Sequence, residues 1–501
     1  MRRSFSLVAA SAVLAAVLLL PASGQAAAGA RPLTESLNAI IHSPDMGRSS
    51  LGIRIIDVET GRRVFDHDSD LPLKPASNMK VMTSATALAV LKPEYVFPTT
   101  FLAATRPDDG VVRGDLFIKG GGSPSLSGEQ WWLMAREMRA RGITRVEGDL
   151  VGDDTYFDAR DRPDGWPPPT EDAFYNAPVS ALAADYGAVT IVVRPAGVGA
   201  APEITLVPFA SFFKVVNNAV TRGSSSDLRV GRRFDAGQNV IVVDGNIAPG
   251  SAPSVSYRNV EQPTLYALAA FRESAAKEGI TIAGVNRRGA APDGAFKIYE
   301  HQSKPLAELV ATMNKLSNNL MAESLLKTLG AEKAGLPGTS EKGAQVVIDF
   351  LGGLGVDVRP LVIKDGSGLS HENRLTAGAL ADVLLAMHRD FEASPEFMAS
   401  LAIGGVDGTL DRRMVGGPAQ RHIRAKTGHL NGVSSLSGYA FTNQARVLAF
   451  AILVNSGGDT DVWKVRRAID RLCGAMVESD LSDLRTSRGA AGAPPAVPAG
   501  R

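Results

Sequence analysis

The segment Pro75-Ala76-Ser77-Asn78-Met79-Lys80 opens a helical pattern that runs to about Leu91 and stops before Pro93. Proline is favoured in the first turn of a helix, so Ser77 should lie among backbone N–H groups that have no partner inside the helix. The helix dipole favours negative charge at the same place. Lys80 follows three residues later, which puts its side chain on the same helical face as Ser77. The segment therefore predicts a serine that can carry negative charge beside a lysine.

Two further short motifs follow in chain order, Ser317-Asn318-Asn319 and Lys426-Thr427-Gly428. The S-x-x-K pattern of the first segment is weak alone, because it also begins at Ser211, Ser274 and Ser324. Ser274 and Ser324 fall in the middle of predicted helices, where no backbone N–H is free, and Ser211 falls in an apolar run. Each motif alone is more often a solvated helix face, a helix cap or a turn. Their occurrence together and in this order is typical of β-lactamases and penicillin-binding proteins.

The residue types in these motifs suit an acyl transfer. Lysine acts as a base only where burial or nearby positive charge disfavours its ammonium form. Lys426, arriving on a predicted strand, would supply such a charge to Lys80, or would bind a substrate carboxylate. Ser317 would relay a proton, and the Asn319 amide would hold a peptide carbonyl or N–H group.

Other chemistries find little support. The seven histidines include no H-x-x-x-H pair, and the chain has neither a G-x-S-x-G elbow nor a phosphate-binding loop, so we expect no metal and no cofactor. Basic and acidic residues number 53 and 52, for a net charge of +1, so no basic field recruits nucleic acid. The lone cysteine, Cys473, excludes an internal disulfide and fits a buried apolar position in a helix.

The N-terminus resembles a secretory signal peptide. Arg2 and Arg3 precede an apolar run from Leu7 to Leu20, and small residues follow. We therefore expect an exported protein, periplasmic or otherwise outside the cytoplasm, that is soluble or peripherally bound to the membrane. An uncleaved anchor is the alternative. The Ala/Gly/Pro-rich residues 484–501 are expected to be disordered.

Helical patterns at both ends of the chain enclose a β-rich region from about Tyr95 to Lys297, where short strand-like runs alternate with Gly/Pro-rich turns. The simplest interpretation is an α/β domain interrupted by an insertion.

At these residues the chain resembles the D-alanyl-D-alanine carboxypeptidase/endopeptidases of the class C low-molecular-mass penicillin-binding proteins. The resemblance covers about residues 32–480. It rests on Pro75–Lys80, Met313–Lys315 with Ser317–Leu320, Ala322-Glu323, Asp365–Ser370, Asp407–Leu410, Ala425–Gly428, Val433–Tyr439, Gly114–Leu116 and Gly120–Gly122.

The resemblance implies an α/β (α+β) fold: a serine β-lactamase/transpeptidase-like domain, with an antiparallel sheet flanked by helices, interrupted by two nested β-rich inserted domains. The long separation of Ser77 from Ser317 fits that insertion. The implied division is a signal peptide (1–27), a discontinuous catalytic domain (28–95 and 296–483), inserted domain II (96–120 and 188–295), inserted domain III (121–187) and the tail (484–501).

The resemblance also implies roles for individual residues. Ser77 is the nucleophile, Lys80 its general base, and Ser317 and Asn319 complete the proton relay and grip the substrate. The other substrate-binding residues are Lys426, Thr427, Gly428 and His429; the first two bind the terminal carboxylate, and the backbone N–H groups of Ser77 and His429 form the oxyanion hole. His429 departs from the family, which usually has threonine or a similar small hydroxyl there.

The implied partners are peptidoglycan peptides as substrates and β-lactam antibiotics as covalent inhibitors, with no nucleic acid. Two alternatives remain open from the sequence: a β-lactamase that hydrolyses its acyl-enzyme quickly, and a cell-wall-binding scaffold with a vestigial site. The sequence gives no oligomeric state.

Overall fold

The computed structural model of the protein describes residues 32–457, 460–479 and 481. The predicted signal peptide and the predicted disordered tail lie outside the described residues. No helix within the described ranges combines the length and the apolar character needed to cross a bilayer.

The α-helices of the described residues vary in length from seven residues to seventeen, or from about two turns to almost five. In chain order they are α1 (Leu33–Ile41), α2 (Met79–Leu91), α3 (Gly128–Ala140), α4 (Pro263–Lys277), α5 (Leu306–Leu316), α6 (Asn319–Ala334), α7 (Ser340–Gly353), α8 (Ala377–Arg389), α9 (Ser394–Ser400) and α10 (Val462–Glu478).

The strands of the described residues vary from two to ten residues in length. In chain order they are β1 (Ser49–Asp57), β2 (Arg63–His67), β3 (Pro98–Ala103), β4 (Val111–Val112), β5 (Leu116–Gly120), β6 (Arg145–Val146), β7 (Leu150–Asp153), β8 (Ala188–Arg194), β9 (Glu203–Val207), β10 (Phe213–Asn217), β11 (Val220–Thr221), β12 (Asp227–Asp235), β13 (Gln238–Ile247), β14 (Ser254–Asn259), β15 (Thr281–Ile282), β16 (Asn286–Arg288), β17 (Phe296–Gln302), β18 (Ala402–Ile403), β19 (Ile423–Leu430), β20 (Val433–Phe441) and β21 (Val447–Ser456).

The main sheet joins the two ends of the chain. Its order is β18-β19-β20-β21-β1-β2, and every neighbouring pair is antiparallel. Helices cover both faces: α1 and α10 pack on one, while α2, α8 and the helices around them pack on the other. Strands β20 and β21 are therefore buried along most of their length, which explains their nearly continuous apolar sequence. The predicted α/β fold with an antiparallel sheet flanked by helices is confirmed.

Helix α2 runs through the centre of this domain. Its residues Met79 to Leu88 are all buried, and it contacts α5, α6, α7 and α8. A helix that is buried on every side lies inside a core, and packing on all sides holds its first turn in place. Lys80, in the first turn of α2, and Ser77, in the turn just before it, are therefore held by a helix that is buried in the centre of the domain.

The region between β3 and β17 has its own sheets and its own core. The five-stranded sheet has the order β16-β7-β5-β3-β17, and three smaller sheets are β15-β6-β4, β14-β8-β9 and β10-β13-β11, with β12 also paired to β13. A separate cluster of buried apolar residues runs from Phe101 to Ile280.

Sheet pairing in this region crosses two of the predicted domain boundaries. Strand β7, placed by the sequence in inserted domain III, pairs in parallel with β5, and β17, placed in the catalytic domain, pairs with β3. The parallel β5–β7 pair needs a crossover through α3, and a turn-rich sequence does not reveal such a unit. We propose an outer inserted unit of residues 98–153 and 263–302 that encloses an inner unit built on β8–β14.

Candidate active site

Ser77 lies in a single 3₁₀ turn, Ala76–Asn78, that leads directly into α2. The structure thus places it at the helix start, as the proline at position 75 predicts. Ala76, just before it, has a left-handed backbone with φ of 48°. This conformation is costly for a residue with a side chain and persists only where the surroundings enforce it. The turn presents the Ser77 side chain half-buried at the edge of a cavity.

The Lys80 ammonium is fully buried and has three acceptors. Its Nζ donates to Ser77 Oγ at 3.1 Å, to Asn319 Oδ1 at 2.7 Å and to the Ser367 carbonyl at 2.8 Å. Burial lowers the pKa of Lys80 to about 7, and the negative charge of Asp365 opposes that shift. A lysine with a pKa near neutrality is divided between its acid and base forms at neutral pH, so it can take a proton from Ser77 and return one.

The second motif is held between two helices. Ser317 ends α5 with a left-handed backbone, φ 57°, and Asn318 caps α6 by accepting the Met321 N–H at 2.9 Å. The helix cap that an S-N-N motif suggests is thus supplied by the middle residue. Ser317 and Asn319 are left to face the site.

Lys426 stands behind Ser317. Its Nζ donates to Ser317 Oγ and to the Thr427 carbonyl, each at 2.9 Å, and the side chain is fully buried. Burial and the nearby Lys80 charge lower the pKa of Lys426 well below its usual range. The ammonium does not line the cavity, so its predicted contact with a substrate carboxylate stays a prediction.

Strand β19 approaches the Ser77 turn closely at Gly428. A Cβ atom on this glycine would lie 2.1 Å from Ser435 Oγ and 2.7 Å from the Pro75 carbonyl oxygen. Ser435 Oγ donates to the same carbonyl at 2.7 Å and accepts from Asn78 Nδ2 at 2.6 Å. The glycine therefore lets the strand and the turn share one wall of the site.

Thr427 and His429, the residues on either side of Gly428 in β19, have different contacts. Thr427 Oγ1 donates to Thr409 Oγ1 at 2.7 Å. His429 has Nδ1 3.3 Å from the Val433 carbonyl, and partial burial of the ring together with the charge of Arg466 lowers the pKa of His429. The predicted oxyanion hole, formed by the backbone N–H groups of Ser77 and His429, stays a prediction.

These elements enclose a cavity of about 240 Å³. Its lining residues are Ser77, Ser317, Thr409, Arg413, Thr427, Gly428, His429, Ser434, Ser435, Arg466 and Ile469. A larger groove of about 870 Å³ lies between α1, α10 and residues 412–419 and contains none of the motif residues. Polar groups that converge on a helix start make the smaller cavity the candidate active site.

A loop that the sequence did not assign to the site supports Lys80. Asp365 is fully buried, and its carboxylate accepts the backbone N–H groups of Ser367 at 2.6 Å and Ser370 at 2.7 Å. Glu323 accepts the Gly366 N–H at 2.7 Å, and burial raises the pKa of Glu323 to about 7. These bonds fix the Ser367 carbonyl that accepts from Lys80. The Asp365–Ser370 motif was visible in the sequence, but nothing there indicated this role.

The inserted region also reaches the site. Trp166 Nε1 donates to Asp365 Oδ2 at 3.0 Å, and the Tyr175 carbonyl accepts from Asn319 Nδ2 at 3.0 Å. Nearby, buried Lys327 donates to Asp158 Oδ1 at 2.6 Å, which ties α6 to the same segment. The inserted residues therefore help to position Asp365 and Asn319.

A serine at a helix start, hydrogen-bonded to a buried lysine and faced by a second serine–lysine pair, defines a serine acyl-transfer enzyme of the β-lactamase/transpeptidase type. Residues 33–476 match the D-Ala-D-Ala carboxypeptidase 3 (S13) family, and the chain belongs to that family. The predicted family and the predicted serine D-Ala-D-Ala carboxypeptidase activity are confirmed.

Similar proteins cover most of the chain. A D-alanyl-D-alanine carboxypeptidase from Actinomadura sp. (strain R39) is 37% identical over 449 residues, which are 86% of this chain and 82% of the relative. The crystal structure of penicillin-binding protein 4 (DacB) from Haemophilus influenzae has a TM-score of 0.75 and 25% identity, over 87% of this chain and 97% of that one. That protein has also been solved in complex with a β-lactam, at a TM-score of 0.71 and 23% identity.

Proposed function

We propose that the chain cleaves peptides ending in D-Ala-D-Ala through an acyl-enzyme on Ser77. Neutral Lys80 takes the hydroxyl proton while Ser77 Oγ attacks the penultimate D-Ala carbonyl. The C–N bond breaks, the leaving D-Ala amine takes up a proton, and water then hydrolyses the ester. The 3.1 Å contact between Lys80 Nζ and Ser77 Oγ carries this proposal.

Ser317 fits the proton path to the leaving amine. Its hydroxyl lines the same cavity as Ser77 and accepts a hydrogen bond from Lys426. A hydroxyl held by a buried ammonium is oriented, and it donates its own proton outward. Asn319 Oδ1 fixes Lys80, while its Nδ2 is held by the Tyr175 carbonyl. In this arrangement Asn319 positions the base.

β-Lactams should acylate the same serine, because their strained amide presents a carbonyl to the same nucleophile. The site geometry and the likeness to a penicillin-binding protein support this proposal. Action on peptidoglycan cross-links is a second candidate activity. A predatory peptidoglycan endopeptidase from Bdellovibrio bacteriovorus shares the fold, with a TM-score of 0.50 and 16% identity.

The test is incubation of the purified protein with a pentapeptide ending in D-Ala-D-Ala and with a fluorescent penicillin. Release of D-alanine and a long-lived adduct support the proposal. Rapid penicillin turnover without D-alanine release would favour a β-lactamase, and inertness toward both would favour a scaffold. We further propose that the protein works outside the cytoplasm, which the signal-like pattern of residues 1–27 supports.

A further inference from the structure

The candidate active-site cavity has an uneven charge. Its lining residues include two arginines, Arg413 and Arg466, but neither aspartate nor glutamate among the described residues. A partly enclosed cavity lined by cations attracts anions, because low-dielectric walls concentrate the field. The two arginines differ in how far their charge is already neutralised.

Arg413 is occupied. Its Nη2 donates to Asp470 Oδ1 at 2.6 Å and its Nε to the same oxygen at 3.1 Å. Both side chains of this pair are mostly buried. Two charge-assisted hydrogen bonds from the guanidinium to this carboxylate already pair Arg413 with a counter-charge, so Arg413 has little free charge for a ligand.

Arg466 has no such partner. In the described parts of the chain no carboxylate lies within ion-pair distance of Arg466, and the charge of Asp470, which pairs with Arg413, reaches it only at longer range. The guanidinium carbon of Arg466 lies 4.7 Å from the centre of the Trp463 ring. Stacking on an indole restrains the guanidinium plane and leaves its edge N–H groups available. Ile469, one helical turn further along α10, lines the same cavity, so this face of the helix is turned toward Ser77.

The other basic groups near the cavity are less suited to hold an anion. Burial and the charge of Arg466 lower the pKa of His429, which disfavours the cationic form of its ring. The Lys426 ammonium is buried behind Ser317, outside the lining of the cavity. Arg466 is thus the cation that is both permanently charged and free to meet a substrate.

We propose that Arg466 is a specificity-determining residue that binds the α-carboxylate of the leaving amino acid. This inference rests on the proposed function, since it places the substrate's C-terminus in the cavity that contains Ser77. The substrate class is then peptides whose leaving residue carries a free carboxylate. A guanidinium matches a carboxylate with two parallel hydrogen bonds.

The test compares kcat/KM for a D-Ala-D-Ala peptide and its C-terminal amide. With Arg466→Gln the acid peptide should lose about ten- to hundred-fold, and the amide, already a poor substrate, should lose little more. Arg466→Lys should recover part of the loss because it keeps the charge. Arg467→Gln, an exposed neighbour on the same helix, is the matched control and should behave like the native enzyme.

A second measurement separates this inference from the proposed activity. Acylation by benzylpenicillin should slow in Arg466→Gln, whereas acylation by its methyl ester should not, because the ester lacks the negative charge. Equal losses on the charged and uncharged member of each pair, or no loss, would overturn the role of Arg466. Failure of the native enzyme to release D-alanine would instead overturn the proposed function, and the penicillin pair would still test Arg466.

Discussion

The Nζ atom of Lys80 lies 3.1 Å from Ser77 Oγ, and the lysine is fully buried. The contact comes from two separate causes. The i, i+3 spacing across the turn into α2 puts both side chains on one side, and the packing of α2 in the middle of the domain removes water from the ammonium. The first cause could be predicted from residues 77–80, whereas the second depends on the whole fold.

The activity should follow the protonation of Lys80. Burial lowers the pKa of Lys80 to about 7, and only the neutral amine accepts the Ser77 proton. The acylation rate should therefore rise about tenfold per pH unit below pH 7 and level off above it. The measurement is the second-order rate constant for penicillin acylation between pH 5 and pH 9. A rate that falls as pH rises through 7 would contradict Lys80 as the base.

Lys80→Arg should be almost as damaging as Lys80→Ala. Arginine keeps the positive charge but does not lose its proton in proteins. We expect a loss of about 10²-fold or more in the acylation rate for both variants. If the arginine variant acylates at close to the native rate, Lys80 acts as a fixed charge and the base lies elsewhere, with Ser317 the next candidate.

Asp365→Asn should move the pH profile toward acid. The Asp365 charge raises the pKa of Lys80 against the effect of burial, so its removal should lower that pKa further. Trp166→Phe is the matched control, because it removes one hydrogen bond to Asp365 but keeps the charge. The acid limb of the profile should shift in the first variant and stay in place in the second. Equal shifts in both would indicate a general loosening of the loop.

Lys426→Ala should reduce activity on the acid peptide and on its amide by the same factor. The Lys426 ammonium donates a hydrogen bond to Ser317 and does not line the cavity. Its loss should therefore impair proton transfer by about 10²-fold or more with either substrate. The same kcat/KM comparison as for Arg466 provides the measurement. A selective loss on the acid peptide would instead support direct binding of the carboxylate by Lys426.

The motif residues could be predicted from the sequence, but the residues that hold them in position could not. Ser77 and Lys80 are linked by local helical geometry, and the family resemblance placed Ser317 near Lys426. Asp365 and Trp166 are 199 residues apart, and no periodicity connects them. Arg466 falls in an amphipathic helix, where a charged residue normally indicates a solvated face.

The inserted region was likewise predicted only in part from its sequence. Its β-rich character was visible in its turns and short apolar runs. The parallel pairing of β5 with β7 was not, because parallel pairs join residues across a crossover and leave no local signature. Cys473 illustrates the opposite case: its position in an apolar helical pattern predicted burial, and the structure confirms it.

Mass spectrometry of the intact protein and its peptides after labelling with penicillin decides whether Ser77 is the nucleophile. The native protein should gain one penicillin adduct, located on Ser77, and Ser77→Ala should gain none. That substitution should change the free energy of unfolding by only about 1 kcal/mol or less. Ser211→Ala, in the exposed S-x-x-K segment near Glu273, is the control and should label like the native protein. An adduct that persists in Ser77→Ala, or that maps to another serine in the native protein, would show that Ser77 is not the nucleophile.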